Sequence, residues 1–132
     1  MNDLFEIKFI SEKKGRGLVA KKDIRRGTLI DIAPVLLIPN DEWQYIAKTV
    51  VYNYCFIWDD PKYEGEYYNA LALSIMQLMN HSYDPNVRYV YDYEKQIIKF
   101  YARKNIKKGE ELTINYNGKV DDKSPVWFEV EE

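Results

Sequence analysis

The sequence predicts a mostly β fold of several small sheets with short helices, and three observations carry that expectation. Short runs with strand-like composition recur from one end of the chain to the other, among them Leu4 to Ile10, Thr28 to Ile32 and Glu111 to Ile114. Helix-forming stretches are few and brief. An internal echo, Ala20-Lys21-Lys22-Asp23-Ile24-Arg25-Arg26-Gly27 recurring as Ala102-Arg103-Lys104-Asn105-Ile106-Lys107-Lys108-Gly109, places the same strand-turn-strand device on either side of the middle. Two copies are too few for a solenoid, so they read as paired devices within one β-rich fold.

Taken in order, Leu4-Phe5-Glu6-Ile7-Lys8-Phe9-Ile10 reads as an opening strand, and Gly17-Leu18-Val19 leads into the first echo. Within each echo an Asp or Asn followed four residues later by Gly suits a tight turn, with the polar side chain bonding its own local backbone. Asn40 stands where it could cap a short helix over Asp41 to Thr49, with acids in the first turn where the helix dipole favours them. Asp59 to Gly65 reads as a loop, and Ser74 caps a turn or two through Met79. Asn86 to Tyr93 is expected to pair with Gln96 to Ala102 across a turn at Glu94-Lys95. Tyr89, Tyr91 and Tyr93 then share one face of their strand.

The 132 residues fit one domain spanning 1–132. With 46% hydrophobic and 30% charged residues the composition is globular, and no apolar run approaches the roughly 20 residues that span a bilayer. No secretory signal follows Met1, so the expected location is cytoplasmic. Cys55 and His81 are the only Cys and His, which excludes an internal disulfide and a cysteine/histidine zinc cluster, and no metal is expected. Net charge is −2 but unevenly spread: residues 31–94 carry three Lys/Arg against ten Asp/Glu, and residues 1–30 carry eight against four. The acidic middle suits a cationic substrate. Together with the pI near 5.5 it argues against direct nucleic-acid binding.

Three segments carry polar chemistry. Gly15-Arg16-Gly17 allows close backbone approach, and the strand after it excludes a dinucleotide fingerprint. Asn80-His81-Ser82-Tyr83-Asp84-Pro85-Asn86 begins where a short apolar helix gives way to a turn, freeing backbone groups to face a ligand. Gly109-Glu110-Glu111-Leu112-Thr113-Ile114-Asn115-Tyr116 is a strand leaving a turn and ending on an aromatic hydroxyl.

In this order and spacing the three segments resemble the SET family of protein methyltransferases, and most closely its minimal bacterial and viral members. The resemblance covers nearly the whole chain. It implies a SET fold of small sheets with a C-terminal pseudoknot and transfer of a methyl group from S-adenosylmethionine to a lysine amine of a protein substrate. Gly15, Arg16 and Gly17 would wrap the methionine end of the cofactor, Asn80 and His81 its adenosine and amino-acid portions, and Tyr116 would stand beside the sulfonium. Tyr54 resembles a second tyrosine of the lysine channel, and Tyr89 a residue limiting how many methyl groups are added. Leu78-Met79 replace an Arg-Phe often found before the Asn-His pair, and Asn117 separates Tyr116 from Gly118. The cysteine-bearing tail of some relatives is missing, and Trp127 and Phe128 would cover the cofactor in its place.

Methyl transfer requires a neutral amine, and a lysine with a pKa near ~10.4 loses its proton more readily in a narrow aromatic channel. A tyrosine-rich site therefore needs no strong general base. An alternative is a catalytically inactive SET-like module that binds a peptide in the same groove, which is expected to have lost Tyr116 or Asn80; both are present.

Overall fold

A computed structural model describes residues 3–126, 128, 130 and 132. Among the described residues lie nine strands: β1 (Phe5–Ser11), β2 (Gly15–Ala20), β3 (Leu29–Pro39), β4 (Cys55–Ile57), β5 (Tyr67–Ala72), β6 (Asn80–His81), β7 (Val87–Asp92), β8 (Ile97–Ala102) and β9 (Glu111–Ile114). One α-helix is present among the described residues, α1 (Asn40–Ile46), with short 3₁₀ turns at Val50–Tyr54, Pro61–Tyr63 and Ile75–Leu78. One sheet has the order β1-β2-β9-β6 and the other β4-β5-β3-β8-β7. The chain divides into two compact units, Met1–Asp31 with Leu78–Val90 and Lys99–Glu132, and Ile32–Gln77 with Tyr91–Ile98.

The first unit is organised by the echo. Ile24 and Ile106, both buried, exchange backbone hydrogen bonds of 2.7 and 2.8 Å. Gly27 N donates to Ala102 O at 2.8 Å and Gly109 N to Ala20 O at 2.9 Å. Asp23 and Asn105 do not bond their own turns as the sequence suggests. Asp23 Oδ1 accepts from Lys108 N and Asn105 Oδ1 from Arg26 N, each at 2.9 Å. Each polar side chain thus closes the other copy's turn, and the pair is related by an approximate two-fold axis. The physical cause is reciprocity: the amides each side chain could cap in its own turn, Arg26 N for Asp23 and Lys108 N for Asn105, are taken by the other copy's side chain. Gly27 (φ 88°) and Gly109 (φ 92°) supply the left-handed conformation each turn requires.

The sheet of this unit places β9 between β2 and β6. β2 runs antiparallel to β9 with Leu18 opposite Leu112, and β6 runs parallel to it with Asn80 opposite Thr113 and His81 opposite Ile114. The pairing is reinforced by Asn86, whose side chain acts as an extra strand residue. Its Nδ2 donates to Glu111 O at 2.8 Å, and its Oδ1 accepts from Thr113 N at 2.9 Å.

The second unit packs around Trp58, which is fully buried with its ring perpendicular to those of Tyr91 and Tyr93 (centroids 5.6 and 5.0 Å), themselves stacked 5.5 Å apart. α1 is shorter than the sequence suggests and is not capped by Asn40. Pro39 holds the cap position, and Asn40 Oδ1 accepts instead from Tyr68 N at 3.1 Å, tying the helix start to β5. Thr49 takes over as cap of the following 3₁₀ turn, accepting from Val51 N. Ser74 does cap its turn, accepting from Met76 N. The β7–β8 hairpin turn is wider than a two-residue loop and runs over residues 93–96, with Asp92 Oδ1 accepting from Lys95 N and Gln96 at φ 54°.

Candidate active site

All three motif segments meet in the first unit. Gly15-Arg16-Gly17 is an ordered strand rather than a loose loop, with Gly17 opposite Lys8 of β1. The missing side chain of Gly17 makes room for two others, because an added Cβ would lie 2.7 Å from Asn80 Nδ2 and 2.8 Å from Glu111 Oε2. Asn80 Nδ2 donates to Glu111 Oε2 at 2.7 Å and to Arg16 O at 3.3 Å. Both partners are pure acceptors, so the amide nitrogen is fixed on this side and Oδ1 is presented on the other. Glu111 Oε1 in turn accepts from Lys14 Nζ at 2.8 Å, in a pair whose side chains are only 13% and 15% exposed. Sequence reasoning missed both Lys14 and Glu111. Their positions give no periodic signal, since they meet only once β2, β6 and β9 are assembled.

His81 is 2% exposed. Its Nδ1 accepts the backbone N–H of Tyr116 at 2.9 Å, which places the ring proton on Nε2. Burial pushes its pKa below the usual value, opposed in part by the Glu132 carboxylate. The Tyr116 hydroxyl donates to Met79 O at 2.7 Å, so the Tyr116 and Met79–His81 segments are bonded at both ends. His81 Nε2 is buried without a hydrogen-bond partner among the described residues. A buried donor left in this way is rare unless something else is to occupy the site. Around it stand the rings of Tyr83 (4.4 Å), Tyr116 (5.2 Å) and Phe128 (6.2 Å).

Lowered protonation of His81 has a stability consequence with a defined sign. The unfolded chain binds the proton more readily than the folded one, so the contribution is complete above the unfolded value near ~6.5 and is lost as pH falls below it towards the folded pKa. Thermal melts are expected to show Tm falling from pH 7 to pH 5.5, and the fall should be smaller in His81→Gln.

Phe128 lies against Tyr116 (5.9 Å) and His81 (6.2 Å); Trp127 lies outside the described residues. The intervening Asn117 has a structural task. Its Nδ2 donates to Ser124 O at 2.7 Å, while Asn115 Nδ2 holds Asp122 O at 2.7 Å, fastening the segment that leads to Phe128. Tyr89, on β7, packs on Phe100 with ring centroids 6.0 Å apart. It also lines a cavity of about 320 Å³ shared with Val87, Asn115, Gly118, Lys119 and Asp121. Burial pushes its phenol up to about 12, so the hydroxyl keeps its proton at any physiological pH. Tyr54 is half-buried and ends the 3₁₀ turn of the second unit, so it is not among the residues that the first unit brings together.

Residues 15–117 match the SET domain family. Over 122 residues the chain is 34% identical to a histone-lysine N-methyltransferase, H3 lysine-37 specific, of Schizosaccharomyces pombe, covering 92% of this chain and 75% of that protein. A crystal structure of a candidate histone methyltransferase from Plasmodium falciparum shares the fold, with a TM-score of 0.67 at 23% identity over 88% of this chain and 95% of that one. The chain therefore belongs to the SET-domain family and is a protein-lysine methyltransferase.

Proposed function

We propose that this chain, acting as a single SET domain, uses S-adenosylmethionine to methylate a lysine of a histone or a similarly basic protein. The observation that carries the reading is that the first unit brings Gly17 against Asn80 and His81 against Tyr116, with a buried donor, His81 Nε2, left for a ligand to satisfy. When bound, S-adenosylmethionine supplies an electrophilic methyl group on a sulfonium centre.

The chain's own residues supply position. Asn80 Oδ1 presents a fixed acceptor suited to an ammonium group, because Glu111 and Arg16 O hold its nitrogen. His81 Nε2–H suits an acceptor on an adenine ring, with Tyr83 and Phe128 offering aromatic surface beside it. Tyr116 donates its proton to Met79 O, which orients the hydroxyl so that its oxygen can interact with developing or fixed positive charge. A lysine amine entering among such rings is desolvated and sheds its proton to water more easily. Orientation of the two reactants can contribute on the order of 7–11 kcal/mol. The S. pombe relative's H3 specificity and the ten acidic residues of the 31–94 segment both favour a basic substrate.

The test is incubation of the protein with methyl-labelled S-adenosylmethionine and histone H3, followed by mass spectrometry of the product. Label on a lysine is the expected result, and folded protein that neither binds the cofactor nor labels the histone would overturn the reading. The same experiment examines Tyr89. Its protonated hydroxyl, facing the cavity, can hold a water or the amine in the space a second methyl would need. Monomethyl-lysine should dominate, and Tyr89→Phe should raise the dimethyl fraction severalfold. An unchanged product distribution in an active Tyr89→Phe variant would return Tyr89 to packing on Phe100.

A further inference from the structure

The two echo turns, residues 21–28 and 103–110, together hold eight Lys/Arg against two Asp/Glu in a chain whose net charge is −2. The sequence separates them by about 80 positions, but the fold joins them backbone to backbone through Ile24 and Ile106. Asp84 pairs with Arg103 at 3.0 Å and Lys104 at 2.7 Å. The other six, Lys21, Lys22, Arg25, Arg26, Lys107 and Lys108, are exposed and have no ion pair among the described residues. Gathering so many like charges without counter-ions works against the folded state, and the simplest compensation is an anionic partner.

We propose that this paired-turn surface docks the enzyme on duplex DNA through its phosphate backbones. Two features favour a duplex over a compact anion. Asp23 and Asn105 close each other's turns, so the cations are presented as two matching sets about an approximate two-fold axis. A duplex presents its two antiparallel backbones about dyads of the same kind, one strand for each set. The side chains are also long and exposed and carry no aromatic platform within the turns, which suits backbone phosphates rather than stacked single-stranded bases. The overall acidity that argues against nucleic acid at the level of composition is an average over the chain and does not describe this surface. The inference extends the histone reading, since a histone is packaged on DNA, but its test involves neither cofactor nor histone.

Binding of a fluorescent DNA duplex of about two helical turns is measured by anisotropy between 50 and 200 mM salt. Six neutralised phosphates predict a log–log slope of about −5 and a loss of affinity of about 10³-fold across that range. Removing four cations in Arg25→Gln/Arg26→Gln/Lys107→Gln/Lys108→Gln should flatten the slope by about 4. Lys48→Gln/Lys62→Gln, on exposed positions of the other unit, should leave it unchanged. The backbone bonds of the turns do not involve the replaced side chains, and circular dichroism checks the fold. If the fourfold variant does not fold, Arg25→Gln/Lys107→Gln is read instead, with a change of about 2 in slope expected. The proposal is overturned if the parent does not bind, if the turn variants bind with the parental slope, or if single-stranded DNA or polyglutamate binds as tightly as the duplex. Because none of these measurements uses cofactor or histone, a parent that fails to bind the duplex overturns this proposal and leaves the methyltransferase reading untouched.

Discussion

Tyr116→Phe should lower kcat by about 10²-fold or more while leaving the dissociation constant for S-adenosylmethionine within a few-fold of the parent. The ring remains beside His81 and Phe128, so the aromatic surface is kept, and only the oxygen is lost. That oxygen is the one oriented by donation to Met79 O. Its removal also leaves the Met79 carbonyl without this donor, at a cost of about 1 kcal/mol for a half-buried hydrogen bond. Single-turnover transfer with saturating cofactor separates chemistry from binding, and a denaturant melt measures the stability loss. Equal single-turnover rates in mutant and parent would remove Tyr116 from the reacting geometry.

Gly17→Ala should do more damage than its size suggests. The new methyl would stand within 3 Å of Asn80 Nδ2, Glu111 Oε2 and Ile10 Cγ1. Ile10 can shift, but Asn80 and Glu111 are held in a network that ends on the largely buried Lys14 ammonium. Overpacking of this kind costs about 1–3 kcal/mol, and displacing Asn80 turns its acceptor away from the proposed ammonium. Affinity for the cofactor should fall by about tenfold or more, equivalent to about 1.4 kcal/mol, together with a lower Tm. Gly27→Ala is the control. Gly27 has open space around it but a φ of 88°, so the substitution strains the backbone and lowers Tm while leaving calorimetric cofactor affinity as it was. Parental affinity in Gly17→Ala would show that Asn80 does not need its present position.

Much of this was legible because the signals are local. The opening strand, the β7–β8 hairpin and the Ser74 cap follow from alternation and capping chemistry within a few residues. Each motif segment by itself reads as an ordinary turn or strand end, and the three could be singled out only because their order and spacing together resemble the SET family. The misses share one physical cause. Asn40 fails as a cap because Tyr68 N, 28 positions away, is available to it, and Asp23 and Asn105 abandon their own turns for each other's. A polar side chain takes the donor that the assembled fold brings to it, and that donor is not visible in a window of ten residues.

By itself, then, the sequence determined the β-rich class, the two glycine-closed basic turns and the identity of the residues most suited to chemistry. Tertiary structure alone decided three things. It made Asn80–His81 a parallel strand on β9, which no two-residue window encodes because the hydrogen bonds come from residues 113 and 114. It joined Lys14, Glu111 and Asn80 into a buried clamp, whose members are distant in the chain and meet only when β2, β6 and β9 align. And it brought the two basic turns together, turning a charge that composition averages to −2 into a concentrated cationic surface. Electrostatic energy depends on distance in space, which the order of residues does not contain.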